Sequence, residues 1–452
     1  MVRRMPMALR VLALVLAFAL ASCAQAPTAS ASCGLDDAAR ARVTALVKRI
    51  VERGHAPGVV ADIRCDGQPW LTLAAGKADV ARDRAMKQDD LFRIYSMTKP
   101  ITSVAVLMLA DDGRLSIDDP VSKHLAEFAN ASVYLSEEGG VMKSEPLRRP
   151  LTVRDLLRHS AGIPYRAPLP HPVLKRYIER GIDHGSGERI VPTDGSAPVD
   201  SVADLSRRIA AVPLLHQPGE RFTYGNATDV LGRLVEAVSG QRLGDFFDAR
   251  LFRPLGMTDT RFQVPAEATA RLTAAYAGPS QRQGNGSLIN VQRVDDLPTS
   301  KLSLVDDPQA SVFSQPRAIQ FGGAGLVSTA ADYQRFMRVL LGRGAAGPQT
   351  LLRTETLAEM TRNQLDAGAR STSALGPQGL GFGLGVALVL EPERAAIAAP
   401  KNVLFWGGAA STYFWVDPQR RISGVLMTQV FGGDVSPYFA HLMDTLYGAA
   451  VK

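Results

Sequence analysis

The chain has 452 residues, 46% of them hydrophobic and 21% charged, which describes a globular protein with ample core and more chain than one small domain needs. The formal charge of +7 is inflated by Arg3, Arg4 and Arg10, which fall in an N-terminal leader. With no long Lys/Arg run and no aromatic-basic stripe, nucleic-acid binding is excluded as an expectation.

Residues 1–26 read as an export signal, because a basic start precedes the apolar run VLALVLAFAL, too short to span a bilayer comfortably. Leu20-Ala21-Ser22-Cys23 resembles the bacterial lipobox, in which Cys23 is lipidated and becomes the new N-terminus. Ordinary cleavage after Ala24-Gln25-Ala26 is the competing reading. On the first, residues 1–23 are leader, 24–34 a tether and 35–452 an envelope domain held to a membrane by lipid on the periplasmic side. On the second, the protein is soluble in the periplasm or secreted. Either way Cys33 and Cys65 remain as an even pair where disulfides are permitted, and a bridge is expected over two free thiols.

Leu35 to Gly54 is patterned as a helix, with Val43, Leu46, Val47, Ile50 and Val51 on one face and Arg40, Arg42, Lys48 and Arg49 on the other. GVVADIRC (58–65) and PWLTLAAG (69–76) read as strands joined by the hairpin signal Asp66-Gly67. From Pro100 to Ala110 almost every residue is small or apolar, so this helix belongs in the interior. Asp111, Asp112 and Gly113 end it. LTVRDLLRHSAGIP (151–164) reads as a second helical piece ending at Gly162 and Pro164. Stretches 134–150 and 165–200, rich in charge, Pro and Gly, read as surface insertions, and 277–318 as a long excursion or lid. Ala227 to Val238 forms a helix closed by Gly240, and Ala330 to Leu341 one stopped by Gly342. The β-rich segments GFGLGVALVL, KNVLFWGG, TYFWVDP and RISGVLMTQV follow, and Ser436 to Tyr447 closes the chain as an amphipathic helix. Short loops between strands imply antiparallel pairing. An α+β fold is expected: about five strands drawn from both chain ends (35–95 and 319–452), flanked by terminal helices, with a mostly helical domain (96–318) inserted.

Ser96 and Lys99 open the apolar helix three residues apart, so their side chains share one face. S-x-x-K also occurs by chance on solvated helices, but here it is the only instance among the lysines. A hydroxyl beside a half-buried amine is a nucleophile with a base. Such a lysine must be neutral to act, which desolvation favours. There is no G-x-S-x-G elbow and no H-E-x-x-H or clustered Cys/His, so neither an α/β-hydrolase nucleophile nor a metal is expected, and no cofactor.

Three segments stand in order: Ser96-Met97-Thr98-Lys99, Tyr224-Gly225-Asn226 and Trp406-Gly407-Gly408. With FRIYSMTKP, GRLSIDDPVSKHL, LTVRDLLRHSAGIP, PGERFTYGN, DVLGRLVEAVSG, PLGMTDT and GGAGLVSTAADY around them, they resemble the serine β-lactamase and penicillin-binding-protein superfamily. The likeness is nearest to the class C-related, family VIII carboxylesterases. It implies a β-lactamase-like fold and an acyl-enzyme on Ser96, with Lys99 or Tyr224 as base. Asn226 would contact Lys99 and the acyl group, although a helix N-cap is its plainer reading. Oxyanion donors would be the N–H groups of Ser96 and Ala409, and Gly407 and Gly408 would let substrate approach a strand edge. Where β-lactamases carry K-T-G or H-x-G this chain has Trp-Gly-Gly. An indole cannot grip a carboxylate as a cation does, so a small ester is expected as partner before a β-lactam or D-amino-acid peptide. A silent envelope ligand-binding protein on the same scaffold is the other class of reading. Tyr95 is either pocket lining or core, and His159 is expected to be structural.

Overall fold

The computed structural model describes residues 33–166, 170–182, 191–278, 293–297, 301–316, 319–342, 351–371, 379–432 and 435–451. The leader with Cys23 and the segment 24–32 lie outside the described residues. Helix α1 (Asp37–Glu52) starts where Asp36 accepts the Ala39 N–H, and it buries Val43, Val47 and Ile50. Strands β1 (Gly58–Cys65) and β2 (Gln68–Asp79) pair across a turn at Asp66 and Gly67 with φ of +51° and +81°, the left-handed pair that a two-residue hairpin requires. Strand β3 (Arg84–Ala85) follows at the edge. Helix α2 (Thr98–Asp111) is buried at every position from Thr98 to Leu109, as its unbroken apolar run demands.

The chain then leaves the sheet. It forms a hairpin of Ser132–Glu138 with Val141–Pro146 and short helices at Val153–Leu157, Pro172–Glu179 and Val202–Ala210. Helix α3 (Ala227–Ser239) packs on α2 and ends at Gly240 in the left-handed conformation. The helix expected over 151–164 is shorter than its pattern. Its backbone leaves the helix because His159 takes φ +56° and Gly162 φ +76°.

Helix α4 (Ala330–Leu340) precedes strands β4 (Leu380–Phe382), β5 (Ala387–Val389), β6 (Leu404–Gly408), β7 (Thr412–Asp417) and β8 (Ile422–Met427), and α5 (Ser436–Val451) ends the chain. The sheet runs β4-β5-β6-β7-β8-β1-β2-β3, antiparallel throughout. Five longer strands are the expected ones. Three short strands toward its two ends extend it to eight, two of them because GFGLGVALVL turns back on itself at Gly385, φ +90°, where a Cβ would strike Ser103.

One face of β6 and β7 presents Phe405, Tyr413 and Trp415 to Phe439 of α5, with Tyr413 stacked at 4.8 Å. The opposite face presents Phe414 to Tyr333 of α4 at 5.1 Å. Tyr333 in turn donates to the Met97 carbonyl at 2.9 Å, tying the sheet to the start of α2. A disulfide joins Cys33 to Cys65 at the end of β1, Cα atoms 5.9 Å apart. No helix among the described residues is long and apolar enough to cross a membrane.

Candidate active site

Ser96 lies in a tight turn, Tyr95–Met97, immediately before α2. Tyr95 takes φ +41°, uncommon for a bulky residue and tolerated only where packing over-determines it. That packing is visible: the Tyr95 ring meets Phe313 at 5.9 Å and Phe431 at 5.3 Å, edge-on, and is 4% exposed. Tyr95 and Met97 face inward while Ser96 stays half-buried. Tyr95 is therefore core beside the nucleophile.

Lys99, 0% exposed, extends from the first turn of α2 along the same face as Ser96. Its Nζ lies 3.2 Å from Ser96 Oγ, 2.7 Å from the Tyr165 hydroxyl and 2.7 Å from the Gly323 carbonyl. The carbonyl belongs to the loop Phe321-Gly322-Gly323-Ala324-Gly325. Thr102, one turn further along α2, holds the preceding peptide through its Oγ1 and Gly322 O at 2.6 Å. Gly322 must be glycine, because a Cβ would lie 2.6 Å from Thr228 O on α3.

Tyr224 reaches Lys99 with its ring, the Nζ lying 4.7 Å from the ring centroid. The hydroxyl that Lys99 meets is that of Tyr165, whose ring stands edge-on to Tyr224 at 5.3 Å. Both tyrosines arrive together because residues 159–165 run beside 222–226. Thr223 N–H donates to His159 O at 2.7 Å, and Gly225 lies flat on the Ile163–Pro164 backbone, where any Cβ would collide. Asn226 occupies the N-cap position of α3 but makes no side-chain capping bond. Its Nδ2 donates to Asp229 Oδ2 at 2.8 Å instead.

His159 closes the back of this wall, 5.0 Å from Tyr224 and 5.7 Å from Phe382 between ring centroids. Burial, and after it the nearby Lys99 charge, hold its pKa well below the ordinary 6.5, so the ring stays neutral. Trp406, 1% exposed, packs edge-on against Tyr224 at 5.5 Å and Phe382 at 5.2 Å. Gly407 is buried, Gly408 half-buried and Ala409 exposed. A Cβ on Gly408 would collide with Ile94 O and Thr412, so β6 passes close beside the turn that carries Ser96.

The structure thus brings together Ser96, Lys99, Tyr224, Asn226 and the Trp406–Ala409 edge, with Tyr95 behind them. Cys23 is outside the described residues, and Cys33 and Cys65 are bridged elsewhere. Sequence reasoning missed Tyr165, Gly323 and Asp229. Tyr165 falls at the start of a stretch read as insertion, and its only signal is its place just after LTVRDLLRHSAGIP. Chemically the arrangement offers a half-buried hydroxyl, a buried amine and two phenols beside a wall of aromatic rings. No cation takes the position of the Trp406 indole.

A family model described as Beta-lactamase matches residues 43–443. Esterase EstB of Burkholderia gladioli is 32% identical over 90% of this chain and 95% of its own. Protein Rv1367c of Mycobacterium tuberculosis is 31% identical over 83% of this chain and 86% of its own. Among solved structures, EstCE1, described as a hydrolase with promiscuous acyltransferase activity, superposes with a TM-score of 0.73 at 25% identity, covering 91% of this chain and 98% of its own.

Proposed function

The chain belongs to the Beta-lactamase family as a serine hydrolase of its class C-related carboxylesterase branch, and from that premise we propose that it cleaves carboxylic esters through an acyl-enzyme on Ser96. The observation that carries this is the 3.2 Å approach of Ser96 Oγ to a wholly buried Lys99 Nζ. Ser96 Oγ attacks the ester carbonyl and its proton passes to the Lys99–tyrosine cluster. The tetrahedral oxyanion is held by the backbone N–H groups of Ser96 and Ala409. Collapse breaks the C–O bond, and the departing alkoxide takes a proton from the same cluster. Water then attacks the acyl carbonyl while the cluster takes one of its protons. Collapse breaks the bond between Ser96 Oγ and the acyl carbon, and the cluster reprotonates Oγ as the carboxylic acid leaves. Lys99 Nζ, bonded to Ser96 Oγ and to the Tyr165 hydroxyl, is the group within reach for those transfers. Tyr224, whose ring lies against that amine, is the alternative base, and Trp406 backs it with an apolar ring.

The test is labelling with a fluorophosphonate followed by a panel of p-nitrophenyl acetate, p-nitrophenyl butyrate, nitrocefin and a D-Ala-D-Ala peptide. Label on Ser96, with esters turned over and the others not, supports the reading. Turnover confined to nitrocefin or the peptide replaces it with the β-lactamase or peptidase reading, and an unlabelled serine with a silent binding protein. We also propose export with lipidation at Cys23. Its motivation is the basic, apolar and lipobox order of residues 1–23, and Cys23→Ala should move the protein from the membrane to the soluble fraction or block processing. A wild-type protein found soluble with Pro27 at its N-terminus would be an ordinary cleaved export product.

A further inference from the structure

The proposed reaction leaves one buried carboxylate at the site without a task. Asp229, in the first turn of α3, is 1% exposed, and its two oxygens serve two different segments. Oδ1 accepts the Gly323 N–H at 2.8 Å, and Oδ2 accepts Asn226 Nδ2 at 2.8 Å. A carboxylate has only acceptors, so both partners must present nitrogen to it. The amide nitrogen of Asn226 is thereby drawn to the buried side of the site.

Gly323 is gripped from two directions. Asp229 holds its N–H while Lys99 Nζ meets its carbonyl at 2.7 Å. The contact is flush: a Cβ on Gly323 would sit 3.1 Å from both Asp229 oxygens. Through these bonds a single carboxylate joins the Tyr224-Gly225-Asn226 segment to the glycine loop that anchors the base. Charge-assisted bonds of this kind are short and directional, and around a carboxylate as buried as Asp229 they have few competitors.

We propose that Asp229 is a positioning residue for the Ser96–Lys99 pair, clamping Asn226 and Gly323 so that the Gly323 carbonyl holds Lys99 at reach of Ser96. The proposal rests on the reading of Lys99 as the group that activates Ser96. An amide in place of the carboxylate can accept through only one atom, so one of the two donors would face another N–H. Asp229→Asn keeps the shape and breaks the clamp.

The experiment compares wild type and Asp229→Asn by fluorophosphonate labelling rate per folded molecule, kcat and KM on p-nitrophenyl butyrate, and Tm. A tenfold or greater fall in labelling rate and in kcat, with KM within about twofold, is expected. A carboxylate with a merely structural task would lower Tm and leave the rate of each folded molecule unchanged, and that result overturns the proposal. Should Asp229→Asn not fold, Gly323→Ala carries the test, because it keeps the carboxylate and intrudes on it from the other side. The same loss supports the clamp and a wild-type rate overturns it. Labelling needs an activated serine and no particular acyl group. Wild type that labels but hydrolyses no ester therefore sinks the ester reading alone, and folded Asp229→Asn that labels normally sinks the clamp alone.

Discussion

Ser96→Ala should abolish labelling and turnover. Lys99→Arg should come close to the same, since a guanidinium stays protonated and cannot accept the serine proton. An Lys99→Arg enzyme with near-normal kcat would remove the amine from the mechanism. The pair was legible in the sequence because a three-residue spacing on a helix is a local fact. Tyr165 was not, because it reaches Lys99 only where Gly225 lets two segments lie flat on one another, and no spacing announces that. Its hydroxyl, 2.7 Å from Lys99 Nζ, makes a bond to a charged or proton-exchanging group, worth about 1.5–3 kcal/mol. Tyr165→Phe should therefore lower kcat/KM on p-nitrophenyl butyrate roughly ten- to hundredfold; unchanged turnover would make the phenol a bystander. Trp406 was legible by what it replaces. Wild type should prefer p-nitrophenyl butyrate to nitrocefin by orders of magnitude in kcat/KM, and Trp406→Lys should narrow that preference. Equal turnover of both substrates by wild type would make the missing cation irrelevant.

The turn that delivers both His159 and Tyr165 depends on one carboxylate. Thr152 and Asp155 form a capping box at the start of the Val153–Leu157 helix. Buried Asp155 also accepts from Arg149 at 2.6 and 2.8 Å and from Arg158 at 2.9 Å. Burial pushes its pKa up, but the bonds from Arg149, Thr152 and Arg158 reverse that and hold it at about 2, below the ordinary 3.8. A depressed carboxylate stabilises the fold above its unfolded pKa, and that contribution is lost as pH falls through the folded value. The stabilisation should therefore be complete above about pH 5 and fade toward pH 2, amounting to on the order of 2 kcal/mol. Denaturant unfolding of wild type and Asp155→Asn should show a gap that narrows over that window; a gap constant from pH 5 to pH 2 would exclude the linkage. The capping box stood in LTVRD, yet the pattern overran the helix by several residues. Periodicity continues through RHSAGIP, whereas the left-handed backbone at His159 is imposed by the Phe222, Tyr224 and Phe382 rings packed around it.

At the scale of the molecule, the sheet is assembled from both ends of the chain, with β1 laid beside β8. The strands and hairpins were legible because alternation and turn residues are local. The pairing of β1 with β8, the split of GFGLGVALVL into β4 and β5, and strand β3 were not, because two- and three-residue strands carry no period and pairing between distant segments leaves no local trace. The disulfide follows from the same assembly, since it fastens the segment before α1 to the last residue of β1. In the sheet register Cys65 stands opposite Ile422, which stands opposite Asp417. The Trp406–Ala409 edge is at the other end of β7, where Thr412 faces Gly408. Five residues of strand separate the two, about 17 Å. Closing a loop with a sequence separation of 32 should stabilise the fold by roughly 3–4 kcal/mol on the chain-entropy model. The double variant Cys33→Ser/Cys65→Ser should thus lose stability of that size in denaturant while keeping kcat and KM on p-nitrophenyl butyrate. A fall in kcat at a temperature where the variant is fully folded would mean that strain at the far end of the sheet reaches Ser96, and the separation of staple from site would be wrong.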